Sequence, residues 1–151
     1  MQAALRSSYL DAMLENIENL INNEVQVEDG VPDSATVKKL TEIYRQLNIN
    51  DTDPETLRQL VQLSFLKVIR KDAIQANHQM TPDTIGFLMA FLIEKVTKIN
   101  RPYTIFDPAV GTANLLTTVI NQLQRASKEP IHGYGIDNDS AMLEVASASV
   151  A

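Results

Sequence analysis

Two carboxylates frame the part of the sequence best equipped for chemistry. Asp107 is followed by Pro108, Ala109, Val110, Gly111 and Thr112, and Asp137 stands thirty positions after it, followed by Asn138. An aspartate, a proline, small residues and a glycine between an apolar run and a helical stretch predict a tight, open turn. Gly111 can take a backbone angle that other residues avoid, and its missing side chain lets a ligand approach the main chain. The helix that follows offers the N–H groups of its first turn. A carboxylate beside N–H donors suits a zwitterion or a polar, sugar-bearing ligand. It disfavours a bare pyrophosphate, which Asp107 would repel. A carboxylate at the end of a second strand, Asp137, can accept hydrogen bonds from both hydroxyls of a ribose. The plainer role for such an aspartate is to form a turn or cap a helix. In an open α/β layout ligands lie beyond the carboxyl ends of the strands, so Asp107 and Asp137 are expected to face one cleft.

The elements that must position these residues follow from periodicity and punctuation. Tyr103-Thr104-Ile105-Phe106 reads as a short strand, residues 113–125 as a helix bearing Leu115, Leu116, Val119, Ile120 and Leu123, and residues 131–136 as a second strand. Asp139 or Ser140 caps a last helix. Strand, turn, helix, strand, helix is the opening of a parallel sheet. Upstream, apolar residues at helical spacing predict helices over 3–23, from Asp33 or Ser34 to Leu47, and over 54–71. Asp53 suits an N-cap and Pro54 the first helical position. Thr81-Pro82-Asp83 repeats that signal before a helix holding Ile85, Leu88, Met89, Phe91, Leu92, Ile93 and Val96. That helix is apolar nearly all round and is expected to be buried on more than one side.

Composition narrows the function classes. The 151 residues, 44% hydrophobic, suffice for one ordinary core or a small core with a helical appendage. There are no cysteines, so disulfides and thiolate metal sites are excluded. His78 and His132 are the only histidines, far apart in sequence, and no metal site is expected. The longest apolar run, residues 85–93, is broken only by Gly86 and is too short to cross a bilayer. The N-terminus lacks the features of a signal peptide. A cytoplasmic protein without membrane partners is the expectation. The net charge of −6 offers no basic face for a phosphate backbone. Lys67, Arg70 and Lys71 are best read as cations favouring a helix C-terminus.

At the residues described above the chain resembles a known family. The stretch from Asp107 to Leu116 looks like motif I of class I methyltransferases, in the style of the N6-adenine DNA methyltransferases. Gly135-Ile136-Asp137-Asn138 looks like motif II. His78-Gln79-Met80-Thr81-Pro82 looks like motif X, and the order X, I, II is that of the γ arrangement. The resemblance covers about residues 78–140 and implies S-adenosyl-L-methionine as cofactor. Gly111, with Pro108, Ala109 and Thr112 around it, would pass close to the methionine part. Asp107 would hold its ammonium group, Asp137 the ribose hydroxyls, and Asn138 would border the adenine. Thr81 and Pro82 would fold over the methionine carboxylate. The family often has glycine where this chain has Ala113. Its catalytic motif IV, an Asn/Asp/Ser-Pro-Pro-aromatic stretch, is absent, since no Pro-Pro pair occurs. That motif would clamp the target amino group and stack on a flipped base, so no catalytic residue is expected within these residues.

The fold implied is a mainly α helical region over 1–76, followed over 77–151 by the truncated start, βαβα, of a Rossmann-like methyltransferase domain. Such helical regions also precede the catalytic part of modification subunits in type I restriction systems. DNA would be gripped largely by segments outside this chain. Two strands alone make no stable parallel sheet, and no stop signal follows the last helix, so a longer protein is expected. Ile105, Phe106 and Ile136 are expected on or near an uncovered apolar sheet surface that favours self-association. Three alternatives compete. One is a methyltransferase for RNA, protein or a small molecule. The second is a nicotinamide-dependent enzyme, which Ala109, Gly111 and Ala113 fit poorly. The third is a non-enzymatic helical interaction module.

Overall fold

The computed structural model describes residues 7–47, 49–72, 80–98 and 101–150. They form two compact units, one within residues 7–72 and one within residues 80–150. The expected boundary at residues 76 and 77, His78, and residues 3–6 of the first expected helix lie outside the described residues.

The first unit is helical, and local side chains set each helix start. In α1 (Tyr9–Asn22) the Ser8 hydroxyl accepts the Asp11 N–H at 3.0 Å and the Asp11 carboxylate accepts the Ser8 N–H at 3.2 Å. This reciprocal cap satisfies two otherwise orphaned donors. The helix therefore opens at Tyr9, whereas its periodicity predicted a start near residue 3. Two more N–H groups of that first turn, of Tyr9 and Leu10, donate to the carboxylate of Asp72 at 3.2 and 2.9 Å. Helix α2 (Ser34–Gln46) is capped by Asp33, which accepts the Thr36 N–H at 2.8 Å. A short 3-10 turn (Ile49–Asp51) leads to α3 (Pro54–Lys71). There Asp53 accepts the N–H groups of Glu55 and Thr56, Pro54 opens the helix, and Arg70 and Lys71 occupy its last turn, as expected. Helix α1 lies against α3, and Ala12, Met13, Tyr44, Phe65 and Val68 are buried. The Tyr44 hydroxyl donates to Asn16 Oδ1 at 2.6 Å, and burial pushes its pKa above the usual value.

The second unit opens with α4 (Asp83–Val96), followed by β1 (Tyr103–Asp107), α5 (Asn114–Ala126), β2 (Ile131–Gly135) and α6 (Ser140–Val150). Strands β1 and β2 pair in parallel, with Tyr103 opposite Ile131 and Asp107 opposite Gly135. Helix α5 covers one face of this small sheet. Ala90, Val119, Leu123 and Ile131 form one buried cluster, and Val110, Ala113, Leu116 and Ala146 another. Ile105 packs against both, so it faces the core and not the open surface expected for it. The other sheet face carries Phe106 and its register partner Tyr134, both exposed, with Ile136 beside them.

Helix α4 departs from expectation in two ways. Its N-cap is Pro82 with no side-chain cap, so Thr81 does not cap the helix and Pro82 precedes its first residue. Its burial is one-sided. Gly86 and Ala90 are buried, while Ile85, Leu88, Phe91 and Leu92 remain 44–52% exposed. The buried side is set by helix packing: a Cβ at Gly86 would come within 2.6 Å of Thr118 Cγ2 on α5. Only glycine permits that approach, and it brings α4 alongside α5.

Candidate functional site

A cleft of about 390 Å³ opens at the carboxyl ends of β1 and β2. Its floor is the loop from Asp107 to Ala113. Extension of the parallel ladder shapes that loop. The Ile136 N–H donates to the Asp107 carbonyl at 3.0 Å, and the Val110 N–H donates back to the Ile136 carbonyl at 2.9 Å. Val110 then seats over Gly135, where a Cβ would stand 2.5 Å from Val110 Cγ2. The chain next turns through two left-handed residues, Gly111 at φ +52° and Ala113 at φ +60°. Nothing lies within 4 Å of a Cβ built on Gly111, so open space adjoins the backbone there. Glycine takes that angle without the steric cost a side chain would bring, and the space beside it is open to a ligand.

The two expected carboxylates meet in this cleft, and both already organise the loop. Asp107 Oδ1 accepts the Ala109 N–H at 3.0 Å, while its Oδ2 has no hydrogen-bond partner among the described residues. Asp137 Oδ2 accepts the Gly111 N–H at 2.8 Å, and Oδ1 accepts the Asp139 N–H at 3.0 Å. The turn-forming role of Asp137 is therefore realised. The loop's N–H groups are less available than its sequence suggests. Those of Ala109, Val110, Gly111 and Ala113 are all bonded within the protein. Their work is to fix the loop.

Of the nine residues expected at a cofactor site, Thr81, Asp107, Ala109, Gly111, Thr112, Asp137 and Asn138 line the cleft. Pro82 and Pro108 do not; they shape the backbone on either side. Sequence reasoning missed Met80, Val110, Asn114, Leu115, Asp139 and Met142, which also line it. Asp139 was legible as a cap, and its Oδ1 accepts the N–H groups of Ala141 and Met142 at 3.0 and 3.2 Å. Leu115 and Met142 are apolar helix positions like any other, and nothing local marks them as lining a site. The set offers a spare carboxylate oxygen, a second carboxylate, an amide and apolar walls. Such a set suits a ligand with an ammonium group, hydroxyls and a flat ring. Among the described residues no group of three His, Asp or Glu side chains could hold a metal ion, and no helix is long and apolar enough to cross a membrane.

Residues 1–69 match the YtxK N-terminal helical domain family. The YtxK protein of Bacillus subtilis, itself uncharacterised, is 35% identical over 144 residues, which are 95% of this chain and 42% of that protein. A crystal structure from Listeria monocytogenes superposes with a TM-score of 0.85 at 40% identity, over 99% of this chain and 44% of that one. That protein is proposed to be a class I S-adenosylmethionine-dependent methyltransferase. The chain thus spans less than half the length of each relative.

Proposed function

We propose that this chain is part of a cytoplasmic class I S-adenosylmethionine-dependent methyltransferase, and that the cleft beside Gly111 is its cofactor site. The observation that carries this reading is the meeting of Asp107 and Asp137 at adjacent parallel strand ends, around a glycine turn with open space beside it. The likeness to the Listeria protein at 40% identity supports it. The cleft volume, about 390 Å³, lies within the rough 300–1,000 Å³ range of small-molecule sites. The cofactor supplies a methyl group on a positively charged sulfur, and a cleft lined by carboxylates favours that charge. Asp107 receives the ammonium group through its spare oxygen, Asp137 the ribose hydroxyls, and Asn138 borders the adenine. Leu115 and Met142 provide apolar contact, and Thr81 closes the methionine end.

The acceptor we infer is the N6 amino group of adenine in DNA. The succession of Thr81-Pro82, the Asp107–Gly111 turn and Asp137, in the order of that family, supports it. The amino-group clamp and most of the DNA grip then belong to chain outside these residues, in keeping with a net charge of −6. Calorimetric titration with S-adenosylmethionine is the direct test, and one-to-one binding is expected. Absence of binding would leave a helical interaction module as the better reading. In a radiolabelled transfer assay on mixed genomic DNA the 151-residue chain should incorporate no methyl group by itself.

A further inference from the structure

The start of α4 has no side-chain cap of its own, yet the segment leading into it forms one wall of the cleft through Met80 and Thr81. A side chain from the start of α5 holds it. Asn114, the first residue of α5, donates its Nδ2 to the Thr81 carbonyl at 2.9 Å and to Asp83 Oδ1 at 3.3 Å. Asn114 is 6% exposed. Its own carbonyl is held by the Thr118 hydroxyl at 2.6 Å, so the tether springs from a fixed point. The side-chain chemistry is specific. An amide nitrogen carries two protons and can serve a carbonyl and a carboxylate together. An ionised aspartate of the same shape could donate to neither and would face Asp83 as a like charge.

We propose that Asn114 is a positioning residue that sets the width of the cleft by fastening the Thr81 wall to the loop containing Gly111, and thereby governs cofactor affinity. The proposal rests on reading the cleft as the S-adenosylmethionine site. Deeper packing of α4 on α5, through Gly86 and Thr118, does not involve the Asn114 side chain, so its removal should loosen the wall and leave the helices paired.

The test compares wild type, Asn114→Ala and Asn114→Asp in three measurements: calorimetric titration with S-adenosylmethionine, thermal melting, and hydrogen exchange without ligand. Loss of a bond to a carboxylate and a bond to a carbonyl should weaken binding about tenfold or more in Asn114→Ala, and further in Asn114→Asp. Melting should fall by only a few degrees. Exchange should accelerate in the first turn of α4 and stay unchanged across residues 117–123. Wild-type affinity in both variants would overturn the proposal. So would exchange accelerated through all of α5, which would mark a merely structural residue. If wild type itself binds no S-adenosylmethionine, the functional reading fails separately. Exchange at the start of α4 then decides the tether: acceleration supports it, and an unchanged rate overturns it.

Discussion

The two units begin most of their helices in different ways. In the helical unit, Ser8, Asp33 and Asp53 each satisfy N–H groups two or three residues ahead. In the unit with the cleft, α6 is capped in the same way by Asp139, but α4 starts after Pro82 and α5 after Ala113, and neither of these two starts has a side-chain cap. Both uncapped starts border the cleft. These two starts are fixed instead from a distance, by Asn114 reaching Thr81 and by Asp137 reaching Gly111. Local caps make a rigid scaffold. Distant ties hold a site in shape while leaving its mouth open.

The strongest way to break this comparison is at the distant tie that would also bind ligand. Asp137→Ala should weaken S-adenosylmethionine binding by roughly 2–4 kcal/mol, through two lost charge-assisted hydrogen bonds. It should also release the Gly111 N–H to exchange. Unchanged affinity in calorimetry would reduce Asp137 to a turn former. Next in size is the loop backbone. Gly111→Ala meets no atoms but must keep φ at +52°, so a stability loss of about 1–2 kcal/mol by denaturant titration is expected. A substantially larger loss would mean that the space beside Gly111 is smaller than the structure places there. The smallest effect belongs to the scaffold. Asp53→Ala should cost about 1 kcal/mol, the ordinary value of a lost N-cap, and leave S-adenosylmethionine affinity as in wild type. A change in affinity there would show that local caps in the first unit also govern the site.

Much of this architecture is legible in the residues alone. Alternation of apolar positions marked the helices, and Asp33, Asp53 and Asp139 marked starts that the structure places within a residue or so. The turn from Asp107 through Gly111 announced itself by composition. Periodicity does not show where a helix begins, as at Ser7 and Ser8, where the Ser8 cap opens α1 at Tyr9 although the apolar pattern runs on through them. The reading also slipped at α4, where hydropathy says how apolar a helix is but not how many of its sides find a neighbour.

What the sequence by itself determined are relations between residues a few positions apart: caps, turns, the succession of strand and helix, and the presence of two aspartates after two strands. These are short-range because a side chain reaches only a few residues along its own backbone. Tertiary structure alone decided which groups meet. The parallel register sets Asp107 beside Gly135, which carries Asp137 to Gly111. The close approach of α4 to α5 at Gly86 brings Thr81 within reach of Asn114. Neither meeting can be read along the chain, because each depends on where two separately formed elements come to rest against one another.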